Sequence, residues 1–327
     1  MMRSNTAEIV DVATGQTRPD LLHTFSVMAT TVEVHVCTPT TTMHDQIAEV
    51  EKVFHSVEAA CTRFKTDSPL MRANASPDEW HVVPGECLEA VAAAAKAHQM
   101  TRGLFDPRVL TSLLHSGYDE TLAFRDDDVV RRSSPAPVAY LRSPWLPEID
   151  VERSAIRLGK LPVDLGGIGK SYAVMRATPA LALSGTGFLI NAGGDCYAQG
   201  SGPTGDGWLI GVEDPTGGES PLAVLRISDA GCATSSTRLR RWKVDGRDTH
   251  HLIDPRTGQA GDRGLTAVTV VAEDTVTAET WTKALFLSGA SEIATFADLH
   301  DLAALWVDVE GQVGLSDAML PYVDWRP

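Results

Sequence analysis

Three glycine-rich segments constrain this chain more than any other feature. They are Val163-Asp164-Leu165-Gly166-Gly167-Ile168-Gly169-Lys170, Asn191-Ala192-Gly193-Gly194-Asp195 and His251-Leu252-Ile253-Asp254-Pro255-Arg256-Thr257-Gly258. Each sets glycine beside a carboxylate, a lysine or a histidine. Glycine reaches positive φ and lets main-chain N–H groups come close to a ligand, so turns of this kind suit a phosphate-bearing molecule.

The segments between them have mixed periodicity. Phe25 to Thr38 alternates Val32, Val34 and Val36 with Glu33 and His35, as a half-buried strand does. Met43, Ile47, Val50, Phe54, Val57 and Cys61 recur at helical spacing, and an alanine-rich helix is expected from about Glu86, stopping at Gly103. A further helix should begin inside the first glycine segment and run through Tyr172, Val174 and Ala177. Phe188-Leu189-Ile190 reads as a short strand that delivers Asn191 to Asp195. Strands are expected near Trp208–Val212, Leu222–Ile227, Arg241–Val244 and Leu265–Ala272, with a helix over Thr277–Leu287. There is no regular βαβ alternation, so the class is α+β, with mixed sheets and flanking helices. Residues 1–20 read as a loose polar arm ahead of a single unit, 21–327. Residues 119–150, with Asp126-Asp127-Asp128 and Arg131-Arg132, read as an exposed excursion.

Charge and composition exclude some functions. A net charge of −15 is the wrong sign for a nucleic-acid surface, although a local site can still bind an anion. No apolar run approaches the roughly 20 residues of a membrane helix, and Met1 to Asp20 lacks the apolar centre of a signal peptide. No membrane insertion is expected, and the cytoplasm is the simplest location. The five cysteines are scattered without a Cys-x-x-Cys pair, which favours free thiols over a zinc site.

Two segments carry the candidate chemistry. Asp164 to Lys170 fits neither the P-loop nor the dinucleotide spacing, but amides at a helix start together with Lys170 suit a pyrophosphate. A plain turn with a surface lysine is the alternative. His251 suits proton transfer near neutral pH; the alternative is a solvated strand end formed with His250. Asp254 to Gly258, taken alone, is a turn.

Further segments fall in a fixed order around these. Met28-Ala29-Thr30, Arg63-Phe64, Ser68-Pro69-Leu70-Met71-Arg72-Ala73-Asn74, Gly103-Leu104-Phe105-Asp106-Pro107 and Gly117-Tyr118-Asp119 precede the first glycine segment, and Ala233-Thr234-Ser235 lies between the second and third. This succession, from about Phe25 to Gly289, resembles the flavin transferase (ApbE) family, which moves FMN from FAD to a threonine hydroxyl of an acceptor protein and releases AMP. The resemblance implies FAD in a cleft between subdomains, contacted by Met28, Ser68, Arg72, Asn74, Leu104, Phe105, Asp106, Asp164, Lys170, Asn191, Gly193, Gly194, Asp195, Ile253 and Asp254. It also implies His251 as the acceptor of the threonine proton. A magnesium ion would be held by Gly167, Glu279 and Thr282.

The chain departs from the family pattern at several positions. The family's metal helix reads Ala-Asp-Ala-x-x-Thr, whereas this chain has Ala278-Glu279-Thr280-Trp281-Thr282-Lys283. An ammonium has no lone pair and cannot ligate magnesium. Lys283 must therefore either point away or replace part of the metal's charge. Ser171 stands where a glycine is expected, Met175 where an aspartate is expected, and Pro69 where a glutamate is expected. With these departures, the readings beside the transferase are an FAD-binding protein without flavinylation activity and an enzyme that hydrolyses FAD to FMN and AMP.

Overall fold

The computed structural model describes residues 4–10, 17–41, 43–118, 129–130, 143–182, 185, 187–218, 220–238 and 240–326. At its centre is a nine-stranded sheet made of β1 (Ser4–Val10), β2 (Thr17–Val27), β3 (Thr30–Cys37), β4 (Phe188–Ala192), β5 (Asp195–Gln199), β6 (Ala230–Ser236), β7 (Leu265–Ala272), β8 (Ala303–Asp308) and β9 (Val313–Leu315). The strands lie side by side in chain order, and every neighbouring pair is antiparallel. Long excursions leave the sheet between β3 and β4, β5 and β6, β6 and β7, and β7 and β8.

Seven helices occur among the described residues: α1 (Met43–Cys61), α2 (Pro69–Ala75), α3 (Gly85–Met100), α4 (Leu110–His115), α5 (Gly169–Ala182), α6 (Thr275–Ser288) and α7 (Ile293–Leu299). The apolar positions expected on α1 are all buried. They share a core with Val32, Val34 and Val36 of β3, Phe188 and Ile190 of β4, and Tyr172, Val174 and Ala177 of α5. On the same face, α6 packs over β7 through Val268, Val270, Ala278, Trp281 and Leu285, and α7 joins this cluster against α6 through Ile293 and Ala297. The opposite face carries a small antiparallel sheet of Trp208–Val212, Ala223–Ile227 and Val323–Trp325, which packs on Ala198, Cys232, Val271 and Leu305.

Local sequence explains the helix ends. Ser68 caps α2, its hydroxyl accepting from the Met71 N–H at 3.1 Å with Pro69 next in line, and Asp274 caps α6 by accepting from the Thr277 N–H at 2.8 Å. Helix α6 also lies unusually close to β6. A Cβ on Gly231 would fall 2.3 Å from the Asp274 carbonyl carbon and 2.4 Å from the Thr275 nitrogen, so only glycine admits this approach.

Three sequence expectations need correction. Residues 4–10, expected in a loose arm, pair with β2 from Ser4↔His23 to Val10↔Thr17. Pairing at a sheet edge needs only backbone groups, so polar composition does not reveal it. The strand expected from Phe25 to Thr38 is broken at Met28-Ala29, where both residues have positive φ (54° and 56°) and form a two-residue hairpin turn. The expected excursion at 119–150 falls largely outside the described residues. At its end Ser143, Pro144, Leu146 and Glu148 are exposed as expected, but Trp145 is buried, its indole N–H donating to the Leu158 carbonyl at 2.8 Å, and Glu148–Asp150 pairs with Ala155–Arg157.

Candidate functional site

The β2–β3 turn, the start of α5, the β4–β5 turn, the segment before Asp254 and one face of α6 enclose a cavity of about 1190 Å³. That is slightly above the ~300–1,000 Å³ usual for small-molecule sites. Met28, Leu104, Phe105, Asp106, Asp164, Gly167, Lys170, Asn191, Gly193, Gly194, His251, Ile253 and Glu279 all line it.

Each wall is fixed by contacts that can be traced. Met28, in its left-handed turn, donates its N–H to Glu58 Oε1 at 2.7 Å, which holds a conformation that non-glycine residues rarely adopt. Its Sδ-methyl group reaches to within 3.2 Å of where a Cβ on Gly169 would stand. At the β4–β5 turn, Asn191 Oδ1 accepts the Gly194 N–H at 3.0 Å, while Asn191 Nδ2 donates to Glu33 Oε2 at 3.1 Å. Gly193 has φ +63°, and a Cβ there would sit 2.2 Å from Thr30 Oγ1. Asn191 thus shapes the turn, which in turn faces the cavity.

Charged groups gather on the cavity floor. Lys170, in the first turn of α5, donates to Asp195 Oδ2 at 2.5 Å, with Asp195 only 2 % exposed. Arg63 lies between the Phe64 and Tyr118 rings, 4.2 Å from each centroid, with Nε 3.3 Å from Asp164 Oδ1. Its Nη2 is buried and has no hydrogen-bond partner among the described residues. Burial raises the Asp164 carboxyl above its ordinary range, against the pull of Arg63 and of the Gly166 N–H, which it accepts at 3.1 Å.

His251 and His250 are both half-buried, so neither is a solvated strand end. His251 Nδ1 faces the Arg240 carbonyl at 3.4 Å; a carbonyl can only accept, so the proton sits on Nδ1 and Nε2 keeps its lone pair. Burial, then the charges of Arg240 and Lys283, hold His251 well below its ordinary pKa. A neutral imidazole with an open acceptor is the form a general base requires.

Several expected contact residues instead support the site from behind. Ser68 is occupied as the α2 cap and by donating to the Thr62 carbonyl at 2.7 Å, while Arg72 donates to the Asp67 carbonyl at 2.5 Å. Asn74 clamps Val163 by two 2.8 Å bonds, Nδ2 to the Val163 carbonyl and the Val163 N–H to Oδ1, and so positions the chain ahead of Asp164. Asp106 and Asp254 are each engaged by an arginine two residues on. Arg108 N and Nε donate to Asp106 Oδ1, both at 2.9 Å, and Nη2 to Oδ2 at 2.7 Å. Arg256 repeats this on Asp254 at 2.9, 2.8 and 2.7 Å. These two Asp-Pro-Arg turns place Phe105 and Ile253 on the cavity wall, and an arginine engages both oxygens of each carboxylate.

The expected metal donors do not fit a divalent cation. Glu279 Oε1 is ion-paired with the Lys283 ammonium one turn along α6, and Glu279 Oε2 takes the Thr282 hydroxyl at 3.1 Å. Thr282 is fully buried, bonded also to the Glu279 carbonyl and Ser235 Oγ, both at 2.8 Å, and does not reach the cavity. The Lys283 stem crosses Gly167: a Cβ on that glycine would lie 3.2 Å from Lys283 Cε. Burial and the neighbouring Asp195 raise the Glu279 carboxyl, opposed by Lys283 and Lys170. Of the other departures, Ser171 is buried and donates to the Ile168 carbonyl at 2.9 Å, and Met175 packs on the main core.

Residues the sequence reading did not assign also line the cavity, among them Arg63, Tyr118, Glu58, Arg240 and Thr234. Arg63-Phe64 and Gly117-Tyr118 stood out as segments, but their stacking is a contact across 55 residues that no local pattern reports.

This arrangement of an antiparallel sheet, flanking helices and a glycine-lined cavity with two ion-paired lysines defines an α+β protein. The ApbE family model matches residues 28–306, and the chain belongs to that family. It is 25% identical over 271 residues to the FAD:protein FMN transferase of Klebsiella pneumoniae (strain 342), covering 81% of this chain and 77% of the relative. Its identity to the FAD:protein FMN transferase of Treponema pallidum (strain Nichols) is 25% over 323 residues, covering 89% and 85%. The crystal structure of the ApbE protein from Thermotoga maritima superposes with a TM-score of 0.78 at 23% identity, over 92% of this chain and 98% of that one. Flavin transferase ApbE from Vibrio cholerae gives 0.76 at 19%, over 93% and 99%. Among the described residues, no helix is long and apolar enough to cross a membrane.

Proposed function

We propose that the protein transfers FMN from FAD to a threonine hydroxyl of an acceptor protein, with release of AMP. The observation that carries this reading is the convergence of Met28, Asp164, Lys170, the Gly193-Gly194 turn, His251 and Ile253 on one cavity of dinucleotide size, in a chain of the ApbE family. Arg63 Nη2, a buried donor with no partner beside that cavity, is the kind of group an anionic ligand satisfies.

In this reading the pyrophosphate lies at the start of α5, against Lys170, where helix amides and an ammonium both favour negative charge. The threonine oxygen attacks the FMN phosphorus, and the P–O bond to the AMP phosphate breaks. The threonine proton passes to His251 Nε2, and AMP leaves carrying the bridging oxygen and its charge. In phosphoryl transfer the protein contributes mainly positioning and charge stabilisation.

The test is to incubate the protein with FAD and threonine-bearing acceptor proteins from its own host. AMP is measured, and covalent flavin fluorescence is read after denaturing electrophoresis. The reading expects AMP and labelled acceptor together, and loss of both in His251→Asn. AMP with free FMN and no labelled acceptor would instead assign FAD hydrolysis, and FAD binding without AMP a carrier.

A further inference from the structure

Helix α6 presents to the cavity a carboxylate and, one turn later, an ammonium. We infer that Lys283 is a built-in cation that neutralises the FAD pyrophosphate, so that this protein binds FAD without a divalent metal. The inference rests on the flavin reading above and deepens it.

Three observations support it. Lys283 is engaged with Glu279, whose two oxygens are both occupied from within α6, by the ammonium and by the Thr282 hydroxyl. The lysine stem lies across Gly167, itself one of the three expected metal donors, where a Cβ would crowd it at 3.2 Å. The local charges already balance: Lys170 pairs with Asp195 and Lys283 with Glu279. A dication would have to displace Lys283 from its carboxylate and then sit beside two ammonium groups.

The ammonium meets the chemical need. It has three N–H donors. One serves Glu279, which leaves two for phosphate oxygens. Lys283 is 13 % exposed, so solvent screens it little, and a phosphate oxygen bonded directly to it feels the ammonium more strongly than the Glu279 carboxylate behind it. Glu279 then acts as the anchor that holds the ammonium over Gly167. A lysine bound only to stiffen α6 would show the same ion pair but would leave FAD affinity untouched, which separates the two roles.

The experiment is calorimetric titration of FAD into the full chain, in EDTA and in excess magnesium, with a titration of magnesium alone. The inference expects dissociation constants that agree within about twofold, and no heat from magnesium alone. Lys283→Met keeps the apolar stem and should weaken FAD binding in EDTA by about 10- to 100-fold, the loss expected for a charge-assisted hydrogen bond, while Lys283→Arg should keep most of the affinity. Thermal melts establish that the variants are folded; should Lys283→Met not fold, the EDTA-against-magnesium comparison on the unaltered chain still decides. An affinity raised tenfold or more by magnesium, or a folded Lys283→Met that binds as tightly as the original, overturns the inference and leaves the flavin reading standing. Absence of FAD binding under every condition overturns both.

Discussion

The two Asp-Pro-Arg turns are built to one local plan and sit in different surroundings. In each, proline fixes the chain after the aspartate, one carboxylate oxygen takes the N–H and Nε of the arginine, and the other takes Nη2. Each arginine also ties its turn to a distant carbonyl: Arg108 to Ser143 at 2.9 Å, and Arg256 to Leu287 at 2.5 Å. The difference lies in solvent. Asp106 and Arg108 are 1 % and 7 % exposed, whereas Arg256 is 43 % exposed over an Asp254 at 7 %. The first turn also leans on a third group. His98 Nδ1 donates to the Phe105 carbonyl at 3.1 Å, and its Nε2 accepts the Trp145 N–H at 2.9 Å, so the ring is held neutral beside Asp106. The same local code therefore builds a buried strut on one side of the cavity and a rim on the other.

That contrast can be broken experimentally. Asp106→Ala strands a buried guanidinium and should cost about 3–5 kcal/mol in denaturant unfolding, with weaker FAD binding as Phe105 loses its support. Asp254→Ala leaves an arginine that can turn to water. It should cost only about 1–2 kcal/mol, mostly the turn's own hydrogen bonds. If the two costs come out equal, the argument from burial fails.

Acid sharpens the comparison. Burial holds His98 below its ordinary pKa, so the unfolded chain takes up its proton first as the pH falls. The stability His98 confers is full above about pH 6.5 and is lost on acidification below it. His98→Gln keeps a donor and an acceptor but cannot titrate, so unfolding measured between neutral and mildly acidic pH should show a flatter slope. The flattening is partial, because His250 and His251 are shifted in the same direction. The smallest effect is expected for Arg256→Lys. It loses the two-pronged contact at an exposed rim, for less than about 1 kcal/mol, whereas Arg108→Lys at the buried turn should cost visibly more.

Elements governed by local periodicity were legible in the sequence. Leu265–Ala272 is a strand over the expected span, and the apolar stripe of α1 is buried residue by residue, because burial of one face imposes its period on the sequence. The glycine segments marked the cavity's turns because positive φ and close approach leave glycine little competition. The Met28-Ala29 turn escaped notice because neither residue is one that hairpin turns favour, and Glu58, thirty residues away, holds it. Asp106 and Asp254 entered as FAD contacts through the family resemblance alone, which does not report that an arginine engages both oxygens of each. The arginine two places on was the available sign. Where Lys283 points could not be read at all, since it depends on Gly167 in another segment.

The order of the sheet has one more consequence. β3 and β4 are hydrogen-bonded neighbours, from Val32↔Ala192 to Val36↔Phe188, yet helices α1 to α5 of the described residues are strung on the chain between them. In topological terms everything from Thr38 to Gly187 is an insertion into a hairpin. Closing such a loop costs only about 0.6 kcal/mol more each time its length doubles, so the sheet barely registers how much chain is spliced in there. The two ends are joined by the Cys37 N–H, which donates to the Gly187 carbonyl at 2.8 Å, and Lys170 on the inserted chain reaches Asp195 just beyond the return strand. Length can change in the connections between the inserted helices, but α1 and α5 must stay, because they cover the core face of the very strands the insertion separates.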